Sequence, residues 1–177
     1  MNPRKFLMWL FIVSIVMIFA AFTSAYLVRK AEGNWREFVL PVMFTYSTFV
    51  LLLSSVSMHF SLYFARKDMF NQLKVSILVT FILGCVFLYM QFIGWVELVN
   101  INVFWVGNPS GSFVYVLSGI HGLHLISGLV VLCYALVSAF KLNIHSKSLV
   151  QIENCTTYWH FLDGLWLYLF LFLLYNS

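Results

Sequence analysis

The sequence predicts an all-α polytopic membrane protein of five transmembrane helices, on three observations. First, 62% of the residues are hydrophobic and only 9% charged, far from the roughly one-quarter charged of soluble domains. Second, five apolar stretches, near 6–28, 38–64, 75–96, 113–140 and 155–175, are each long enough to cross ~30 Å of hydrocarbon at ~1.5 Å per residue. Third, the segments joining them are short, so the chain reads as a single transmembrane domain over residues 1–177.

Basic residues set the expected orientation. Arg4, Lys5, Arg66, Lys67, Lys74, Lys141 and Lys147 fall on one side, and only Arg29, Lys30 and Arg36 on the other. The positive-inside rule then places the N-terminus in the cytoplasm and the C-terminus outside. The net charge of +4 follows from this bias, and no basic patch interleaved with aromatics points to nucleic acid.

The first stretch carries Arg4 and Lys5 before it and Ala20, Ala21, Ser24 and Ala25 within it, as a secretory signal would. Its apolar run is longer than the ~7–15 residues of a signal core, so it reads as a retained helix. Arg29-Lys30 ends it, Glu32-Gly33-Asn34 makes a turn, and Pro41 is expected in the first turn of helix two. Helix two carries Ser47-Thr48, Ser54-Ser55-Val56-Ser57 and then His59. Small hydroxyl residues let helices approach closely and bond across the contact. Helix three contains Gly84, Gln91 and Gly94, and Gly107-Asn108-Pro109-Ser110-Gly111 reads as an outer loop. Trp9, Trp35, Trp95, Trp105 and Trp159 are expected at the interfaces as an aromatic belt. Cys85, Cys133 and Cys155 have no paired spacing and read as packing residues.

The polar residues of helices four and five carry the most information. His121 and His124 are three apart and share a face. Glu153, Thr156, His160 and Asp163 step by three, four and three along helix five, and Asp163 is the only formal charge between Cys155 and Tyr175. A carboxylate at that depth costs at least ~2.5–3.5 kcal/mol and normally has a partner. Counting the rise from each helix entry puts His124 and Asp163 at nearly one level, so the two are expected to face each other, with Gly122 and Gly128 allowing close approach. Three readings are open for this cluster: an interhelical hydrogen-bonded staple, a metal or haem site, and a proton or ion path. His59 and His145 read as interfacial. Nucleophile–base pairs, phosphate-binding glycine loops and Cys-x-x-Cys motifs are missing from the sequence, so nothing here performs chemistry alone.

The stretch from Gly111 to Gly128, with Ser118-Gly119-Ile120-His121-Gly122-Leu123-His124 at its centre, is followed by Tyr158-Trp159-His160-Phe161-Leu162-Asp163 and Trp166. Together with Glu153, with Gly84, Phe87 and Gln91, and with the run from Thr48 to Ser57, it resembles subunit III of the haem–copper respiratory oxidases. The similarity spans nearly the whole chain, in the five-helix bacterial form that lacks the first two helices of longer members.

That resemblance implies a non-catalytic subunit of the bacterial cytoplasmic (inner) membrane. Haem and copper would reside in the partner chains, which are subunit I, the catalytic one beside which this chain packs, and subunit II, with a subunit IV and a larger assembly with a cytochrome c reductase left open. It implies phospholipids held in a cleft, support of proton uptake, and turnover stability. By that analogy His124 and Lys141 contact a lipid headgroup, while His160, Asp163 and Glu153 brace helices four and five.

Two departures bear on proton handling. Helix one has no carboxylate, and Gly94 stands where an acid is common, with Glu97 one turn later. Gln91 resembles the cytochrome c-oxidising branch, whose complex passes electrons from cytochrome c to oxygen and pumps protons. A quinol oxidase subunit is the alternative within the family. A self-standing transporter or channel built on the His/Asp cluster is the alternative outside it, although no internal repeat or broken helix is visible.

Overall fold

The computed structural model describes residues 3–140 and 149–176. It contains five helices: α1 Pro3–Ala31, α2 Val42–Arg66, α3 Phe70–Asn100, α4 Pro109–Phe140 and α5 Val150–Asn176. Each is long and apolar enough to cross a membrane, and there is no strand among the described residues.

Most helices run past the expected apolar stretches because backbone hydrogen bonding does not stop where hydrocarbon ends. Two starts differ for local reasons. Residues 38–41 are not helical, since Pro41 biases the residue before it away from the α region, and α2 begins at Val42. The expected outer loop at 107–111 ends early, with α4 starting at Pro109. Proline's fixed φ suits a first helical position, and Asn108 caps the turn by accepting from the Ser110 N–H at 3.0 Å. Gly107 meanwhile adopts φ 113°, a left-handed conformation that glycine reaches at little cost.

Four helices close a ring: α2 on α3, α3 on α4, α4 on α5, and α5 back on α2. Helix α1 stands outside it against α4 and α5 only. It runs parallel to α5, because Lys5 meets Glu153 at one end and the Tyr26 hydroxyl donates to the Asn176 carbonyl at the other. Tyr26 also anchors an aromatic knot, its ring 4.6 Å from Trp35 and 5.0 Å from Phe172.

The ring closes tightly because glycines stand where its largest side chain lies. Trp159 is almost completely buried, so it is not the interfacial aromatic expected from the sequence. Its indole lies in the space left by Gly84 of α3 and Gly128 of α4. A Cβ at Gly84 would come within 2.9 Å of Trp159 and of Leu129, and one at Gly128 within 2.9 Å of Leu162 and 3.2 Å of Trp159. Gly122, expected to share that role, is open, its nearest neighbour being Leu88 at 3.8 Å.

Gly128→Val should therefore overpack the α4–α5 contact and destabilise the bundle by about 1–3 kcal/mol, whereas Gly122→Ala should change little. Unfolding of the two variants in detergent, followed by tryptophan fluorescence, checks the contrast.

Candidate functional site: polar contacts between the spans

Helix α2 presents Ser47, Thr48, Ser54 and Ser55, a pair of hydroxyls repeated after seven residues and so returned to one face. Each meets a polar group of another helix. Ser47 Oγ accepts from Gln91 Nε2 of α3 at 2.8 Å. Thr48 Oγ1 accepts from Trp166 Nε1 at 3.0 Å, and Ser54 Oγ from Trp159 Nε1 at 2.9 Å. Ser55 Oγ shares a 2.6 Å hydrogen bond with His160 Nδ1.

Ser47 and Thr48 spend their own hydrogens on the Phe44 carbonyl, both at 2.8 Å. That back-bonding leaves the oxygen lone pairs aimed at the neighbouring helices. In hydrocarbon an indole N–H has no water to turn to, so the serine and threonine oxygens satisfy donors that would otherwise be orphaned. The same device recurs where Ser118 Oγ of α4 accepts from Trp95 Nε1 at 2.9 Å. A reciprocal pair, Ser57 Oγ to the Ser76 carbonyl at 3.0 Å and Ser76 Oγ to the Ser57 carbonyl at 2.5 Å, joins α2 to α3.

The residues singled out from the sequence do not gather at one point. His121 is fully buried, its ring 5.0 Å from Trp166 and 5.9 Å from Phe87, and neither ring nitrogen has a hydrogen-bond partner among the described residues. Asp163 is 5% exposed and faces Ser55 of α2, but neither carboxyl oxygen closes a hydrogen bond among the described residues.

The expected meeting of His124 with Asp163 does not occur. His124 Nδ1 hydrogen-bonds the Ile120 carbonyl at 2.8 Å, and its ring packs 5.8 Å from Phe19 of α1. Matching depth says nothing of rotation about the axis. Three residues advance ~300°, so His124 is turned ~60° from His121, toward α1, while Asp163 is turned toward α2. His124 stands midway along α4, about 22–24 Å from either end. Lys141 lies outside the described residues.

Glu153 ties three helices at the end carrying the N-terminus: Lys5 Nζ of α1 lies 2.6 Å from Oε2, and Arg66 of α2 lies 3.9 Å from Oε1. Glu97 stands in the last turn of α3. His59 is exposed on α2, its ring 6.2 Å from that of His160. Among the described residues no three His, Cys, Asp or Glu side chains come together in a metal-ligand group. The α4–α5 contact also holds a bond not foreseen from the sequence, between the Ser127 and Tyr158 hydroxyls at 2.7 Å.

Fold and site together define an integral membrane bundle whose buried polar side chains serve mainly to join helix to helix. Its sequence matches the family described as cytochrome c oxidase subunit III over residues 2–177. The chain belongs to that family, the third subunit of haem–copper oxidases, and is an integral inner-membrane protein whose complex includes other oxidase subunits. It is 28% identical to the cytochrome bo(3) ubiquinol oxidase subunit 3 of Buchnera aphidicola from Schizaphis graminum, covering 99% of this chain and 95% of that one. It is 27% identical to the cytochrome c oxidase subunit 3 of Bacillus sp. PS3, covering 96% and 84%. It is also 29% identical to the human cytochrome c oxidase subunit 3, covering 92% and 66%.

Trp159→Phe keeps most of the apolar volume but leaves Ser54 without its donor. It should cost about 0.6–1.7 kcal/mol, the range of interhelical hydrogen bonds in membranes. The double variant with Ser54→Ala should recover part of that loss, and a double-mutant cycle on detergent unfolding reads the coupling.

Proposed function

We propose that this chain is the non-catalytic subunit III of a bacterial cytochrome c oxidase. In this reading the haem and copper centres reside in subunits I and II, and the chain braces that machinery within the membrane. The observation that carries the proposal is how the polar residues are used. Four successive hydroxyls of α2 are committed to Gln91, Trp166, Trp159 and His160 of other helices, which is scaffold chemistry. Gln91 supports the cytochrome c branch by its resemblance, and here its amide is engaged with Ser47. The bo(3) ubiquinol oxidase relative favours a second reading, in which the complex oxidises quinol.

The placement of Lys5, Arg66, Lys67 and Lys74 at the end where α1 begins supports a cytoplasmic N-terminus. Lipid holding is supported by a groove of about 620 Å³ between α1, α4 and α5. Its walls are apolar at Leu7, Phe11, Val131 and Tyr134, with Gln151 and Asn154 alongside, a pattern that suits an acyl chain below a polar group. A proton-uptake role resting on a helix-one carboxylate has no support, because α1 contains none.

Turnover of the purified complex with reduced cytochrome c as donor, and its failure with ubiquinol, is the expected result; the converse selects the quinol oxidase. The double variant His121→Phe, His124→Asn should leave the haem and copper content per complex unaltered by spectroscopy and metal analysis. Loss of either in proportion to the substitution overturns the non-catalytic role.

A further inference from the structure

Among the described residues, no Cα of α1 lies within 8 Å of one in α2, although both helices pack on α5. A trough therefore runs between them, floored by the sector of α5 that lies between its contacts with the two. At ~100° per residue, Thr157, His160, Gly164 and Leu171 fall in that sector. Its boundaries are visible in the contacts: Trp159 and His160 reach α2 through Ser54 and Ser55, and Tyr168 reaches Thr23 of α1. The floor is open at Gly164, where a Cβ would meet nothing within 4 Å beyond its chain neighbours and its own helix backbone. One end is strapped by Lys5, Glu153 and Arg66.

The trough is not a lipid-like surface. His160 is half-buried, and its Nδ1 is taken by Ser55; among the described residues no other hydrogen bond reaches the ring. It stands ~15 Å along α5 from Val150, deep within the span. The exposed His59 ring lies 6.2 Å away, and the 5%-exposed Asp163, which faces Ser55, closes no hydrogen bond among the described residues. Acyl chains satisfy none of these groups, and polar groups at such depth are covered by protein.

We propose that a transmembrane helix of another oxidase subunit docks in the α1–α2 trough, with a hydroxyl or carboxamide hydrogen-bonded to His160. Either group donates or accepts, so it serves both tautomers of the imidazole. The missing Cβ at Gly164 permits the close backbone approach that helix pairs use in membranes. The proposal rests on the subunit III reading and specifies which face of the chain meets its complex.

The test uses the intact complex, with p-benzoylphenylalanine incorporated in place of Leu171, a large and exposed side chain of the same floor. Illumination should give a covalent adduct with another oxidase subunit. Adducts confined to phospholipid, with the subunit still co-purifying, overturn the docking site and leave the subunit III reading standing. Co-purification with no oxidase chain overturns both.

Gly164→Trp directs an indole into the trough from a position where a Cβ meets no neighbour within 4 Å. It should release the subunit from the complex while its unfolding in detergent is unchanged; retention at wild-type stoichiometry overturns the proposal. His160→Leu should raise the dissociation of the subunit roughly threefold to tenfold, and unaltered dissociation counts equally against it.

Discussion

Hydrocarbon offers no hydrogen bonds, and that constraint governs where this chain's polar side chains stand. In water an indole N–H or a glutamine amide could be left to solvent. Within the span each needs a protein partner or carries a penalty of several kcal/mol. For the donors of Gln91, Trp95 and Trp166, α2 and α4 meet the requirement with one recurring device, while His121 and Asp163 stand outside it. A helix-borne hydroxyl gives its proton to a carbonyl of its own helix, and its oxygen then receives a donor from the next. Ser47, Thr48 and Ser118 all do this. Helix α2 concentrates the device and therefore acts as the hub to which α3 and α5 are keyed.

Packing and polarity reinforce each other at the same residues. Lipid tails are as apolar as leucine, so helices in a bilayer gain little from hiding apolar surface and depend on fit and hydrogen bonds. Trp159 illustrates both. Its ring lies in the space left by Gly84 and Gly128, while its N–H meets Ser54, so one side chain holds α2, α3, α4 and α5 in register. Trp166, one heptad later, does the same through Thr48, Phe44, Phe87 and His121. Burying two tryptophans is compatible with a membrane interior only because their single polar atoms have somewhere to go.

The five spans were legible in the sequence because hydrophobic length is a one-dimensional property. So was the family, through the strings around His121 and His160, and so was the bonding character of the α2 hydroxyls. What the sequence did not reveal was azimuth. His124 and Asp163 share a depth yet point to different neighbours, and no count of residues along two helices fixes how each is rotated in the bundle. The role of Trp159 was hidden for the same reason, since a tryptophan near a predicted span end reads as an interfacial anchor until Gly84 and Gly128 are brought beside it. Helix-to-helix distance, set by the glycines, supplied the missing information. The spacing of the partners was present all along: Thr48 and Ser54 stand six apart in α2, and Trp159 and Trp166 seven apart in α5.

Helix α1 follows a different logic from the ring. Toward mid-span its buried positions, Ile12, Ile15 and Phe19, are apolar, and Phe19 there meets His124, which offers an aromatic face. Such contacts are weakly directional. Position is instead fixed near the ends, by Lys5 on Glu153 and by Tyr26 and Lys30 donating to the Asn176 carbonyl. An outlying helix pinned in this way stays parallel to α5 without needing α2, and so leaves α2 uncovered on that side. The ring supplies rigidity through buried hydrogen bonds, while the pinned helix supplies shape, because its separation from α2 is what exposes the polar flank of α5.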